Sequence, residues 1–327
     1  MKRWKVLLTQ PMHKSGIEML ETEAEVDVRH FVADTDEEVI AKAATDVDAI
    51  ITRLPRITKK VIESTRKLKV IGRHGAGYDN IDVKAATERG IPVTYTPDAP
   101  AESVAEHTIG FMIALAKRIV QADKALRKPT WRGWQVRHEY TGDALYGKTL
   151  GLIGLGRIGA IVAKLAKAFD MKILYHKRRR DQTLERILGV EYTPLPELLR
   201  KSDFVSIHTP LTEETRGMIG EKEISMMKDG AYLINTARGP IVDENALYKA
   251  LKEGKLAGAA LDTYCKEPPP DDFPLFQLEN VIVSPHMSAH THDFFIEAAT
   301  TVAEDTLRVL KGQRPLHIVN PEVYERK

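Results

Sequence analysis

The chain has 327 residues, 43% hydrophobic and 29% charged, with a formal net charge of +2. That length predicts about two domains with sizeable cores, and the near balance of charge argues against a nucleic-acid or membrane partner. The one cysteine, Cys265, excludes an internal disulfide and suits a reducing, cytoplasmic setting, and no apolar run reaches the roughly 18 residues of a membrane span.

The first third alternates short apolar runs with amphipathic ones. Strands are predicted at Trp4 to Leu8, Val26 to Phe31, Ala49 to Thr52, Leu68 to Gly72 and Ile91 to Tyr95. Helices are predicted at Ser15 to Glu21, Asp36 to Ala44 and Thr58 to Ser64, with another starting at Asp82. Such βα alternation implies a parallel sheet. The apolar stretch Val6 to Leu8 is too short for a signal-peptide core. Pro97-Asp98-Ala99-Pro100 then marks a hinge or domain boundary. A long helix is expected from Glu102 to Arg127, apolar on most faces. The segment Lys128 to Tyr146, with Trp131 and Trp134, reads as an extended arm for a neighbouring subunit. Beyond it, strands are predicted at Thr149 to Ile153, Met171 to Tyr175, Phe204 to Ile207, Ala231 to Asn235, Gly258 to Leu261 and Val281 to Val283. Helices are predicted at Ile158 to Phe169, Leu195 to Ser202, Glu221 to Met227, Asp243 to Glu253 and Phe294 to Leu310.

The strongest local signal is Gly154-Leu155-Gly156-Arg157-Ile158-Gly159, set between a strand and a helix. In that context G-x-G-x-x-G is a dinucleotide fingerprint. Gly154 makes the tight turn, Gly156 lets a pyrophosphate approach, and Gly159 lets helix and strand pack closely. The free N–H groups at the helix start suit an anion. A second glycine-rich loop, Gly72-Arg73-His74-Gly75-Ala76-Gly77, leaves N–H groups open for a small anion such as a carboxylate. Three further segments place polar residues just past strand ends: Asn235-Thr236-Ala237-Arg238-Gly239, Asp262 to Pro268, and Ser284-Pro285-His286. Ligands bind at such ends in open α/β sheets.

These pieces, in this order, resemble the NAD(P)-dependent D-2-hydroxyacid dehydrogenase family over nearly the whole length. The matching stretches are VIGRHGAGYDNID, GLGRIG, NTARG, ALDTYCKEP, SPH and VNPEV. The resemblance implies a catalytic Arg238, Glu267 and His286. A fixed guanidinium beside the carboxylate and carbonyl of a 2-oxo acid, a histidine proton donor, and a carboxylate orienting that histidine form a consistent set. It also implies that Ala76 and Gly77 offer N–H groups to the substrate carboxylate. Arg157 and Ile158 would meet the pyrophosphate, Thr209 and Pro210 would line the adenosine side, and Asp262 would hold the nicotinamide carboxamide. No metal is implied. Glu267 argues against formate as substrate, since formate dehydrogenases of the family use Gln there. Ala76 argues against phosphite, since phosphite dehydrogenases carry Lys.

Two positions depart from the family pattern. NAD-using members place an Asp at the end of the second nucleotide-domain strand; here that position falls on Lys177 or, with a one-residue slip, His176. The run Lys177-Arg178-Arg179-Arg180 suits a 2′-phosphate, so NADP preference is expected, with Lys177, Arg178 and Arg179 as contacts and NAD still possible. The alternative is a solvated basic loop with nucleotide choice set elsewhere. Arg53, after the third strand, leans instead toward a phosphorylated substrate or is a surface residue.

The expected fold is α/β, with two doubly wound parallel-sheet domains. A Rossmann nucleotide domain spans residues 99–289, and a flavodoxin-like, discontinuous substrate domain combines 1–98 and 290–327. The active site would lie in the cleft, and the protein would be a homodimer. The expected activity is reduction of a small 2-oxo acid, glyoxylate or hydroxypyruvate first, with 3-phosphoglycerate dehydrogenase as the alternative. A nucleotide-sensing, corepressor-like binding protein is the rival from another class.

Overall fold

The computed structural model describes residues 3–128 and 133–325. The chain divides into two units, one of residues 1–100 with 290–327 and the other of residues 101–289. Among the described residues no helix is long and apolar enough to cross a membrane.

In the first unit, β1 (Trp4–Leu8), α1 (Lys14–Glu21), β2 (Ala24–Val28), α2 (Glu37–Ala44), β3 (Ala49–Thr52), α3 (Lys59–Ser64), β4 (Val70–Arg73), α4 (Val83–Glu88) and β5 (Val93–Thr94) alternate as the apolar periodicity requires. The sheet is parallel with order β2-β1-β3-β4-β5, the flavodoxin-like order 2-1-3-4-5. Its strands inside the edge strand β2 are buried on both faces, so successive residues feed different cores. Leu7, Ile50 and Ile71 enter one cluster with α2, α3 and α4, while Val6, Leu8, Ile51 and Val70 enter the other. The last long helix of the chain returns to close that second cluster with Val302, Ala303 and Leu307.

In the second unit, α5 (Ala101–Ala116) and α6 (Ile119–Leu126) precede β6 (Thr149–Ile153), α7 (Arg157–Lys167), β7 (Lys172–His176), α8 (Gln182–Leu188), β8 (Glu191–Tyr192), α9 (Leu195–Lys201), β9 (Phe204–Ile207), α10 (Glu221–Met226), β10 (Ala231–Asn235), α11 (Glu244–Lys252), β11 (Leu256–Leu261) and β12 (Val281–Val283); α12 (His292–Leu310) belongs to the first unit. The order β12-β11-β10-β9-β6-β7-β8 is all parallel. Read from β8, its first six strands follow the Rossmann order 3-2-1-4-5-6. The expected two-sheet α/β architecture is therefore what forms.

The expected single helix from Glu102 to Arg127 is instead two. Arg118 adopts a left-handed conformation (φ 52°) and starts α6. The Ala116 carbonyl turns to accept the Asp143 N–H at 2.8 Å. No glycine or proline marks this break in the sequence. The expected arm also folds partly onto its own unit. Arg118 Nη1 donates to the Glu139 carbonyl at 2.7 Å, and the Tyr232 hydroxyl donates to Asp143 Oδ2 at 2.9 Å. Gly133–Tyr140 is a 3₁₀ helix. Trp131, on which the arm reading leaned, lies outside the described residues, as does the side chain of Trp134. The helix α8 and strand β8 were not expected. They occupy the stretch after the basic run, where Asp181 caps α8 by accepting the Leu184 N–H.

The C-terminal tail is tied down by buried polar side chains. Asn320 accepts from Val93 N at 2.7 Å and donates to the Thr87 hydroxyl and the Ile91 carbonyl. Asp305 of α12 accepts from the backbone N–H groups of Leu316 and His317. Neither polar group is left without a partner, which burial requires.

Candidate active site

Parallel strands leave their C-terminal ends on one edge of each sheet, and the chemistry gathers there. In the second unit that edge carries, in sheet order, Ser284, Asp262, Thr236 to Arg238, His208, Gly154 and Lys177.

The fingerprint glycines have separate physical reasons. Gly154 has φ 103°, and a Cβ there would lie 2.5 Å from the His208 carbonyl oxygen. A Cβ at Gly159 would lie 2.4 Å from the Gly154 carbonyl oxygen, so α7 could not close onto the turn. Gly156, the N-cap of α7, faces open space. Its Cα is where a ligand can reach the N–H groups at the helix start. Arg157 and Ile158 form the first helical residues. Beside this turn, Pro210 is anchored by its carbonyl, which accepts the Thr215 hydroxyl at 2.7 Å. The neighbouring His208 ring turns inward to the Ser206 hydroxyl at 2.8 Å, and burial pushes its pKa down to about 3.

The basic run separates into different environments. β7 ends at His176, whose Nδ1 lies 3.3 Å from the Thr193 carbonyl and whose ring faces Tyr192. Lys177 is the residue that meets the glycine turn, with Nζ 3.2 Å from the Leu155 carbonyl and 3.6 Å from Asp181. Arg180 is already committed. It makes two 2.7 Å bonds to Glu185 and lies over the Tyr192 ring. Arg180 and the Tyr175 hydroxyl together hold the Glu185 carboxyl down to about 2. Among the described residues Arg178 has only an exposed 3.7 Å contact with Glu214, a screened pair of little worth. Arg179 makes no ion pair or hydrogen bond among the described residues.

At the end of β10, Asn235 fixes the next loop by accepting from Ala237 N and donating to the Arg238 carbonyl. Gly239 follows because nothing larger fits: a Cβ there would lie 1.9 Å from the Tyr264 carbonyl carbon. The close approach brings the Arg238 loop against the segment bearing Glu267. Glu267 Oε1 accepts from Tyr264 N at 3.1 Å, and Oε2 pairs with His286 Nδ1 at 2.6 Å. With a carboxylate as partner, His286 Nδ1 carries the proton, and Nε2 is left for a substrate. His286 has φ 50°, uncommon for a residue other than glycine.

Asp262 has no exposed surface. Oδ1 accepts from the Ser284 hydroxyl at 2.5 Å and from Met287 N at 2.8 Å, and Oδ2 accepts from Ser288 N at 2.8 Å. The sequence reading gave this carboxylate the nicotinamide amide. In the structure both oxygens also accept from the turn that carries His286, which ties this carboxylate to that turn. Sequence inspection also passed over His107 and the Ser284 side chain, which complete this cluster. A lone histidine on an apolar helix carries no signal of its own.

In the first unit, the corresponding edge carries Arg53 after β3 and the glycine loop after β4. The loop is shaped by Arg73, whose Nε donates to the Gly77 carbonyl at 2.5 Å and Nη1 to the His74 carbonyl at 2.6 Å. Among the described residues no hydrogen bond consumes the N–H of Ala76 or Gly77. His74 is buried against Phe294 with neither ring nitrogen paired. Burial first, then the charges of Arg53 and Arg73, push its pKa down to about 3. Arg53 donates to His290 Nε2 at 2.5 Å and lies over Phe295, with no carboxylate partner among the described residues. Burial lowers its pKa from the usual guanidinium value. A half-buried cation without a counter-ion favours an anion.

The family model for the NAD binding domain of D-isomer specific 2-hydroxyacid dehydrogenases matches residues 109–288. The chain is 44% identical over 320 residues to a glyoxylate reductase from Korarchaeum cryptofilum, covering 98% of this chain and 96% of that one. It is 45% identical over 326 residues to a D-3-phosphoglycerate dehydrogenase from Methanocaldococcus jannaschii, covering 99% of this chain but 61% of that one. Among solved structures it resembles an NADPH-dependent glyoxylate/hydroxypyruvate reductase from Sinorhizobium meliloti in complex with NADP and malonate. The TM-score is 0.86 with 29% identity, covering 97% of each chain. The fold and the strand-end residues define a nucleotide-dependent oxidoreductase. The chain belongs to the D-isomer specific 2-hydroxyacid dehydrogenase family.

The two glycine environments separate binding from folding. Gly156→Ala should leave the melting temperature within about 1 °C, because its Cβ meets nothing, yet weaken cofactor binding about tenfold or more by crowding the open face. Gly239→Ala should instead destabilise the protein by about 1–3 kcal/mol through overpacking. Thermal melts and cofactor titrations of both variants would show it; equal stability loss in the two would refute the distinction.

Proposed function

We propose that the protein reduces a small 2-oxo acid to its D-2-hydroxy acid, with glyoxylate or hydroxypyruvate as substrate and NADPH as the favoured reductant. The observation that carries this is the Glu267–His286 pair, set on the same strand-end edge as Arg238 and the glycine turn. When bound, the nicotinamide would supply the hydride for the substrate's carbonyl carbon. Arg238 would hold the substrate's carbonyl and carboxylate oxygens through its forked donors. His286 would give its Nε2 proton to the carbonyl oxygen in reduction and take it back in oxidation. Glu267 would keep Nδ1 protonated and stabilise the imidazolium from which that proton leaves. The open N–H groups of Ala76 and Gly77 would receive the substrate carboxylate.

The cofactor reading rests on Lys177. The strand-end position where NAD-using members carry an Asp holds Lys177 or His176, and the Lys177 ammonium reaches the glycine turn itself. Arg178 and Arg179 are exposed beside it, while Arg180 is engaged by Glu185. Arg157 and Ile158 would meet the pyrophosphate, and Thr209 and Pro210 the adenosine side; NAD remains the second cofactor. The relative named as a D-3-phosphoglycerate dehydrogenase and the uncompensated Arg53 favour a second substrate reading, in which Arg53 meets a substrate phosphate.

A second copy of the chain is the proposed partner. The α6 helix buries no side chain in its own unit, and Ile119 and Leu126 are 50% and 60% exposed. Sedimentation should give about twice the 36.7 kDa chain mass, and a monomer mass at micromolar concentration would exclude the dimer.

Two variants test the chemistry. His286→Ala should lower kcat about a thousandfold or more while cofactor affinity changes little; undiminished turnover would remove the proton-donor role. Lys177→Asp should move the NADPH-to-NADH ratio of kcat/KM about tenfold or more toward NADH. An unmoved ratio would show that the basic run is not the selector.

A further inference from the structure

We infer that His107 is a positioning residue for the reaction, acting through the Ser284 hydroxyl and the Asp262 carboxylate on the turn that presents His286. The inference rests on the reading of His286 as the proton-transfer residue.

His107 lies on α5, with its ring edge-on to Phe111 at 4.3 Å, and His107 Nε2 is 3.2 Å from Ser284 Oγ. Ser284 Oγ is in turn 2.5 Å from Asp262 Oδ1. The directions of these bonds follow from proton counting. The other neighbours of the Asp262 side chain, Met287 N and Ser288 N, are donors, so the carboxylate acts as an acceptor throughout. The single Ser284 hydroxyl proton therefore goes to Asp262. Ser284 can then only accept from His107, which fixes the imidazole as the Nε2–H tautomer. Burial lowers the His107 pKa, while the Asp262 charge opposes that effect, and the neutral ring is what the chain of donors needs.

The other end of the relay is the backbone that flanks His286. Met287 and Ser288 are held by Asp262, and His286 N donates to the Ser284 carbonyl at 3.0 Å. The Ser284 carbonyl also accepts the Tyr264 hydroxyl at 2.9 Å, and burial pushes that phenol up to about 12, so it remains a donor. The backbone on either side of His286 is thus tied to Asp262, Ser284 and Tyr264, while His286 sits at a left-handed φ that costs energy unless its surroundings enforce it. His107 supplies the one donor that keeps the Ser284 hydroxyl aimed at Asp262 instead of rotating to another acceptor. Hydrogen bonds linked in this way strengthen one another in a dry site.

The test is steady-state kinetics on His107→Leu, His107→Gln, Ser284→Ala and the double variant His107→Leu/Ser284→Ala, with His286→Ala in the same panel. Saturating NADPH and NADH would each be used with glyoxylate and hydroxypyruvate. The relay predicts that kcat falls about tenfold in His107→Leu and in Ser284→Ala, with KM changed less than about twofold. His107→Gln, which keeps an N–H donor, should recover most of the loss. The double variant should be no worse than Ser284→Ala alone, because both changes remove one interaction. Wild-type kcat in His107→Leu, additive losses in the double variant, or a His107→Gln as slow as His107→Leu would overturn the relay. If His107→Leu does not fold, Ser284→Ala against His107→Gln decides in the same way: a wild-type kcat in Ser284→Ala overturns it. Failure of the underlying reading is separate, since it shows as turnover retained in His286→Ala.

Discussion

The carboxylate of Asp262 is out of reach of water and satisfied by three donors from one short turn: the Ser284 hydroxyl and the backbone N–H groups of Met287 and Ser288. A hydrogen bond to a charged group is worth about 1.5–3 kcal/mol, and a buried charge deprived of its partners costs more than that. The turn therefore has little freedom to move. His286 stands in its middle, at a positive φ uncommon outside glycine, with Glu267 on Nδ1. A buried carboxylate fixes the backbone, a second carboxylate fixes the ring, and the remaining ring nitrogen is the one proposed to transfer the proton.

The sheets explain why these groups meet. All strands of each unit run the same way, so the ends of β10, β11 and β12 deliver Arg238, Asp262 and Ser284 to one edge, alongside the glycine turn after β6. Both faces of each sheet are filled with apolar side chains that alternate along the strands, and this rigid support makes the loops repeatable in position. Gly159 and Gly239 serve that precision by excluding a Cβ where two backbones touch, whereas Gly156 leaves room for a ligand.

Much of this was legible in the sequence because it depends on local patterns. The strand–glycine–helix signal at residues 149–167 and the βα alternation in the first hundred residues led directly to the two parallel sheets. The strand-end positions of Arg238, Glu267 and His286 were legible as a set; their geometry was not, since Glu267 and His286 are 19 residues apart and meet only through the fold. The break at Arg118 escaped notice because an arginine in a left-handed conformation has no sequence signature, and tertiary bonds to Ala116 and Glu139 enforce it. The separate environments of the four cations were not legible. Composition counts four charges, but Glu185, on a helix the periodicity did not reveal, already takes Arg180. His107 was invisible for a similar reason: its partner lies 177 residues away.

The central claim is that this site reduces a small 2-oxo acid and that its basic strand end selects NADPH. The most direct measurement is reduced-cofactor consumption by the purified protein, crossing NADPH and NADH with glyoxylate, hydroxypyruvate, phosphohydroxypyruvate and pyruvate. The account predicts the highest kcat/KM for NADPH with glyoxylate or hydroxypyruvate. A clear preference for NADH with phosphohydroxypyruvate would contradict it, making Arg53 the residue that points to the substrate and showing that the basic run does not select the cofactor.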